Sequence, residues 1–218
     1  MKYLIVLLIA TLSATVFSAP APREWTNTEG KSLTGTLVET VLDAQGKATA
    51  AKVRLPNGQV YILELSKLSA ADQEYVATAQ KEKAAEEQKA LLASRRAKWT
   101  DDWEKAQEES EKTGLPILLL MTGSDWCGYC IRLKSNVFEE REFQKFANEN
   151  VVLMIADFPH GSQSKALKEQ NEKLKKDFPF GGYPTVKLVK DGKEVASFGG
   201  YGGDSAEDYV KKLAEKLK

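Results

Sequence analysis

Residues Trp126-Cys127-Gly128-Tyr129-Cys130 carry the only two cysteines of this 218-residue chain. They follow Ile117–Met121, a continuous apolar run of the kind expected for a strand that is buried on both faces. Helical spacing begins at Cys127 and continues to Asn148, with a break expected near Phe138. The pattern therefore predicts that both cysteines lie at the junction between a buried strand and a helix.

A cysteine pair at such a junction is suited to reversible thiol chemistry. Free backbone N–H groups at a helix start stabilise negative charge, and the thiolate is the nucleophilic form of cysteine. Cys130 lies one turn after Cys127 and can resolve a mixed disulfide by attacking it. A disulfide that closes so short a loop constrains the unfolded chain very little. We therefore assign Cys127 as the catalytic nucleophile and Cys130 as the resolving thiol.

Zinc is the main chemical alternative, since a structural site needs four ligands and a catalytic site three plus water. The chain has a single histidine, His160, so a site would need both cysteines, this histidine and a carboxylate. We expect no metal and no cofactor. His160 is expected in a loop at the end of a strand, where a role near the cysteines stays open. A locked structural disulfide is a further alternative.

Regular alternation of helices and strands follows Trp99 and predicts an α/β domain. Thr100 or Asp101 is expected to cap the first helix. In chain order the elements are αβαβαββα, which predicts a central sheet with helices on both faces. The predicted helices cover 101–112, 127–148, 164–178 and 205–217, and the predicted strands cover 117–121, 151–156, 185–189 and 194–198.

The first 18 residues have the pattern of a secretory signal peptide. A basic start precedes the apolar run Leu4–Val16, and small residues follow it, with cleavage expected after Ser18. The expected location is the periplasm, the cell envelope or the exterior, with membrane contact only during export. An uncleaved N-terminal anchor is the alternative. Lys+Arg and Asp+Glu are equal at 31 each, so no basic excess suggests a nucleic-acid partner.

Residues 22–78 are predicted to form a small all-β barrel or curled sheet. Alternating runs surround Asn57-Gly58, a strong hairpin signal. Residues 70–98 are rich in Ala, Glu, Lys and Gln, a composition that favours helix, and we expect a solvated connecting helix over 79–100. Arg95 and Arg96 are expected to form an ordinary basic patch on that helix.

The cysteine motif, together with Gly182-Tyr183-Pro184-Thr185-Val186, resembles the thioredoxin superfamily over residues 101–218, and in particular exported thioredoxin-related and disulfide-isomerase-like domains. The resemblance implies a cis peptide at Tyr183–Pro184 and substrate contacts from Trp126, Gly128, Tyr129, Tyr183, Pro184 and Thr185. Thioredoxins also carry a buried acid in the strand before the motif. Leu120 or Met121 occupies that position here, and Asp157 is our hypothesis for a substitute in proton transfer.

The N-terminal segment resembles the SH3-like homology domain of Sla-type adaptors. The resemblance is carried by Arg23-Glu24-Trp25-Thr26, Val53-Arg54-Leu55 and Leu65-Ser66-Lys67-Leu68-Ser69. It implies a peptide or protein ligand for this domain, and a spacer or stabilising module is the alternative.

The predicted function is that of an exported thiol–disulfide oxidoreductase. Its expected partners are protein thiol or disulfide substrates and an upstream redox protein, and the direction of electron flow stays open. The alternative is an envelope adaptor or peptide-binding protein in which the redox domain is secondary or vestigial.

Overall fold

The computed structural model describes residues 21–217. The chain divides into two compact units, and the boundary lies between Ala84 and Ala85. The predicted signal peptide lies outside the described residues. Over residues 21–217, no helix combines the length and the apolar character that a membrane span requires. The limits predicted for the two domains, 22–78 and 101–218, stay predictions.

The N-terminal unit is built on a four-stranded antiparallel sheet with strands in sequential order. The turn between the last two strands contains Gly58 with a φ of 86°, a conformation that glycine adopts at little cost. The predicted Asn57-Gly58 hairpin is therefore confirmed, whereas closure of the sheet into a barrel stays a prediction. The elements are β1 (Arg23–Thr26), β2 (Ser32–Leu42), β3 (Ala48–Arg54), β4 (Val60–Glu64), a 3-10 turn (Leu65–Lys67) and helix α1 (Ala70–Ser94), which crosses the unit boundary.

The C-terminal unit has a second four-stranded sheet, and its elements follow the predicted order. They are α2 (Trp103–Thr113), β5 (Ile117–Thr122), α3 (Gly128–Leu133), a π-helical turn (Lys134–Phe138), α4 (Arg141–Asn150), β6 (Val152–Asp157), α5 (Lys165–Asp177), β7 (Thr185–Lys190), β8 (Lys193–Gly199) and α6 (Ala206–Lys216). The strand order is β6-β5-β7-β8, with β5 and β6 parallel and the other pairs antiparallel. The expected break near Phe138 is confirmed.

Every residue of β5 is buried, because its side chains alternate between two hydrophobic cores. Leu118 and Leu120 pack in a core with residues of α3, α4 and α6. Leu119 and Met121 pack on the opposite face with residues of α2 and α5. Helices thus cover both faces of the sheet, as the sequence predicts.

The segment before α2 differs from the prediction. Helix α1 ends at Ser94, and residues 95–99 lie outside any helix or strand, so the predicted helix over 79–100 is wrong at its C-terminal end. Thr100 forms an isolated β-bridge with Met154 of β6, at the edge of the sheet. Asp102, and neither Thr100 nor Asp101, caps α2 and accepts a hydrogen bond from the Lys105 N–H at 3.2 Å.

Arg95 is buried, which contradicts its expected place in an exposed basic patch. Its guanidinium donates to the carbonyl oxygens of Ala147 and Asn148 at 2.7 and 3.0 Å and forms an ion pair with Glu109. Both carbonyls lie in the last turn of α4, where backbone carbonyls run out of helical N–H partners. The Ala147 carbonyl accepts one further, long hydrogen bond from the Val151 N–H at 3.4 Å. Arg95 therefore caps α4, and residues 95–99 leave the helix to reach it.

Replacement of Arg95 with Ala should destabilise the C-terminal unit by about 2 kcal/mol, because charge-assisted hydrogen bonds to buried carbonyls are lost. The neighbouring Arg96 is exposed, so Arg96→Ala is the matched control and should change stability little. Urea unfolding of the full chain, followed by tryptophan fluorescence, measures both. Equal effects of the two substitutions would contradict a capping role.

Candidate active site

The register of the C-terminal sheet places four loops at one edge. Met121 in β5 pairs with Thr185 at the start of β7, and Thr122 pairs with Asp157 at the end of β6. Thr185 also pairs with Gly199 at the end of β8. Four segments therefore begin or end side by side. They are the cysteine motif, the loop after β6, the Tyr183–Pro184 segment and the glycine-rich segment after β8.

Cys127 and Cys130 form a disulfide at the start of α3, with their Cα atoms 5.2 Å apart. Cys127 is the N-cap residue, and its sulfur accepts a hydrogen bond from the Cys130 N–H at 3.2 Å. Both residues are buried. This arrangement gives a thiolate at Cys127 a backbone donor at a helix start, where negative charge is favoured. In this form the two sulfurs are bonded to each other.

The Tyr183–Pro184 peptide is cis, which confirms the expectation drawn from the family resemblance. The Pro184 carbonyl accepts a hydrogen bond from the Gly200 N–H at 2.8 Å, so the glycine-rich segment adjoins this loop. Thr185 is buried and its hydroxyl donates to the Gly182 carbonyl at 2.8 Å. Burial raises the pKa of Tyr183, helped by the charges of Glu172 and Asp157, so its phenol stays protonated at neutral pH.

Trp126 lies at the centre of this edge and is 41% exposed. Its indole N–H donates to the Phe158 carbonyl at 2.8 Å. Its ring stacks on the His160 ring with centroids 5.0 Å apart. It also lies nearly perpendicular to the Tyr183 ring, with the two centroids 5.4 Å apart. Trp126 thus connects the cysteine motif to the loop after β6 and to the cis-proline loop.

Two carboxylates, one from each segment, link the cysteine motif and the residues before it to the end of β6 and the loop after it. Asp157 accepts from the Ser124 N–H and hydroxyl at 2.9 and 2.5 Å. Asp125 accepts from the His160 and Gly161 N–H groups at 2.9 and 2.8 Å. The hydrogen bond from the His160 N–H, followed by the one from the Gly161 N–H, holds the pKa of Asp125 below its ordinary value. The carboxylate is ionised at neutral pH. We call these contacts the loop linkage.

The remaining predicted site residues lie on the outer side of α3. Gly128 is the first residue of the helix, and Tyr129 is 57% exposed with the Arg132 guanidinium 4.5 Å from its ring centroid. Ile131, two residues after Tyr129, is half exposed, although the sequence pattern did not single it out. Exposed Tyr129 and Ile131 therefore flank the buried Cys130 in the chain.

The sequence reasoning missed the partners that hold this edge together. Asp125 is exposed, yet both of its carboxylate oxygens accept hydrogen bonds. His160 was expected in a loop with an open role, and it lies against Trp126. Asp157 is bound to Ser124, and its suggested part in proton transfer stays a prediction. The preference of Asp for backbone N–H groups in loops was the available signal for Asp125.

Fold and site together define a thioredoxin-like protein with a disulfide at the start of a helix. The family described as thioredoxin-like domain matches residues 103–216, and the chain belongs to it. This result agrees with the resemblance noted in the sequence. The match covers the C-terminal unit and does not extend to the N-terminal sheet.

Two curated relatives come from Chlamydia pneumoniae. The chain is 31% identical over 129 residues to the disulfide bond reductase DsbH, and the match covers 58% of this chain and 76% of that protein. It is 28% identical over 112 residues to the thioredoxin-related protein DsbJ, which covers 50% of this chain and 32% of DsbJ. A solved structure of DsbH oxidoreductase superposes with a TM-score of 0.53 at 29% identity, over 58% of this chain and 88% of that one. The chain is therefore homologous to thiol–disulfide oxidoreductases.

Gly123 allows the Trp126 indole to approach the backbone, because a Cβ atom at this position would overlap the indole ring. Gly123→Ala should therefore displace the indole and lower the stability of the unit by about 1–3 kcal/mol, the usual cost of overpacking. Gly181→Ala is the control, since a Cβ there meets nothing within 4 Å. Thermal unfolding and Trp fluorescence measure the effect, and unchanged values for Gly123→Ala would contradict the packing argument.

Proposed function

We propose that the chain is an exported thiol–disulfide oxidoreductase that exchanges disulfides with protein substrates through Cys127 and Cys130. The observation that carries the proposal is the Cys127–Cys130 disulfide at the start of α3, beside the cis Tyr183–Pro184 peptide. Cys127, the N-cap residue, is the nucleophile, and Cys130 resolves the mixed disulfide. Trp126, Gly128, Tyr129, Tyr183, Pro184 and Thr185 contribute the substrate contacts.

Electron and proton transfer balance in the proposed cycle. In the reducing direction the Cys127 thiolate attacks one sulfur of the substrate disulfide, and the other sulfur leaves as a thiolate that takes a proton. Cys130 then loses its proton and attacks Cys127, which releases the second substrate thiol and forms the Cys127–Cys130 disulfide. A dithiol of the upstream redox partner then reduces the Cys127–Cys130 disulfide through a mixed disulfide, restores the two thiols and is itself oxidised to a disulfide.

Reduction is the direction that we propose, because the relative that matches over most of its length bears the name disulfide bond reductase. The pair should then have an equilibrium potential close to that of thioredoxin, about −270 mV. Equilibration of the full chain with dithiothreitol or glutathione buffers measures this potential. A value of roughly −120 to −180 mV would instead indicate an oxidase or isomerase.

Replacement of the two cysteines tests their separate roles. Cys127→Ser should abolish disulfide turnover, since no thiol remains to attack the substrate. Cys130→Ala should retain the first attack and accumulate mixed disulfides, visible as reducible adducts on non-reducing gels. Full turnover by Cys127→Ser would refute the mechanism, and the absence of adducts with Cys130→Ala would refute the assigned order of attack.

Export is supported by the first residues, in which a basic start, an apolar run and small residues precede Pro20. We propose cleavage after Ser18 and residence in the periplasm, the cell envelope or the exterior. Mass determination of the mature N-terminus in cell fractions tests this. An uncleaved chain would support the anchor alternative.

The N-terminal unit is proposed to be an SH3-like module that binds a peptide or protein, and the adaptor alternative for the whole chain depends on it. Support comes from Val60 and Ile62, which are 50% and 65% exposed on the edge strand β4. Exposed backbone and apolar side chains on an edge strand are suited to strand addition. A screen for ligands of the full chain, repeated with Ile62→Lys, would detect such binding.

A further inference from the structure

We propose that Asp125 is a positioning residue, and that the stacked rings of Trp126 and His160 form the surface that binds an apolar side chain beside the disulfide of an extended polypeptide substrate. The inference rests on the proposed disulfide exchange and names one part of its substrate recognition. We refer to the two stacked rings as the aromatic ledge.

Asp125 fixes the backbone on which His160 stands. Both of its carboxylate oxygens are used, one by the His160 N–H and the other by the Gly161 N–H. On the opposite side the Trp126 indole N–H binds the Phe158 carbonyl of the same loop. The loop after β6 is therefore held to the cysteine motif at three points within four residues, and the two rings meet nearly parallel, at 8°.

Besides the stacking on Trp126, the His160 ring has an electrostatic interaction with the Asp125 carboxylate. Among residues 21–217, neither of its imidazole nitrogens takes part in a hydrogen bond or an ion pair, and the residue is exposed. A core histidine would have its nitrogens satisfied by neighbours. Here the ring contributes a flat surface that extends the indole, which is itself 41% exposed.

The ledge lies where a polypeptide substrate would pass. Trp126 directly precedes Cys127, and its ring also meets Tyr183 of the cis-proline loop at 5.4 Å. A substrate that adds as an extended strand would place the residue next to its cysteine on this side. A small disulfide could reach Cys127 without touching the ledge. The ledge should therefore affect polypeptide binding and leave thiol chemistry unchanged.

Single-turnover oxidation of the reduced full chain tests the proposal with three probes. Two are synthetic disulfide peptides that carry Leu or Ser beside the cysteine, and the third is hydroxyethyl disulfide. Asp125→Ala should raise the half-saturation concentration for the Leu peptide at least fivefold. The limiting rate with this peptide and the rate with hydroxyethyl disulfide should each stay within twofold of the parent values. The redox potential should be unchanged. Asp101→Asn, at another exposed aspartate, is the control and should match the parent chain.

Variants at His160 separate the ledge from other roles. His160→Ala should reproduce the effect of Asp125→Ala, and the double variant should be no worse than either single one, because both act through the same ring. His160→Phe keeps a flat ring and should restore binding of the Leu peptide. Asp125→Asn keeps one acceptor oxygen and should be intermediate, and it carries the test if Asp125→Ala does not fold.

Two results would overturn the proposal. An equal loss with hydroxyethyl disulfide and with the Leu peptide would place Asp125 in the thiol chemistry. Unchanged half-saturation with Asp125→Ala and His160→Ala would show that the ledge binds nothing. A parent chain that none of the three probes oxidises would instead refute the proposed disulfide exchange itself, so the two failures are distinguishable.

Discussion

The register of β5 against its two neighbours is the constraint on which the active-site edge depends. Met121 opposite Thr185 and Thr122 opposite Asp157 bring the strand ends level. A slip of one residue would turn every β5 side chain to the opposite face and move the cis-proline loop away from the cysteines. Because β5 is apolar on both faces, a slip would also mismatch two hydrophobic cores at once, and the register is therefore strongly specified.

The fold of the C-terminal unit could be predicted from the sequence because its signals are local. A buried run such as Ile117–Met121 and a Cys-x-x-Cys motif at a helix start are visible within ten residues. The cis Tyr183–Pro184 peptide followed from resemblance to a family. By contrast, the burial of Arg95 depends on a partner 53 residues away, and the bond from Trp126 to the loop that carries His160 spans 32 residues. The periodicity of the sequence does not predict contacts of that kind, because they form only once the strands are in register.

In the N-terminal unit, the hydrogen bonds of a buried carboxylate supplement a small hydrophobic core. Asp72 is 2% exposed and accepts from the Thr26 N–H, the Ser69 hydroxyl and the Arg23 guanidinium at 2.7–2.8 Å. It therefore ties β1 to the start of α1. The apolar core beside it is small, with Trp25, Val53 and Val76 among its fully buried members. Small domains bury too little apolar surface to depend on it alone, so a fully satisfied polar hub is a reasonable substitute.

The charged side chains near the disulfide are paired with neighbouring groups. Thioredoxins are expected to place a carboxylate in the strand before the motif, but here Met121 is fully buried at one of the two candidate positions. The buried charge on that face of the sheet is Lys187, which is neutralised by Glu194 at 2.6 Å. The nearest carboxylates in sequence, Asp125 and Asp157, are occupied as acceptors in the loop linkage. In this chain the acids around the motif thus hold loops in place, and the Cys127 sulfur accepts its hydrogen bond from the Cys130 N–H at the helix start.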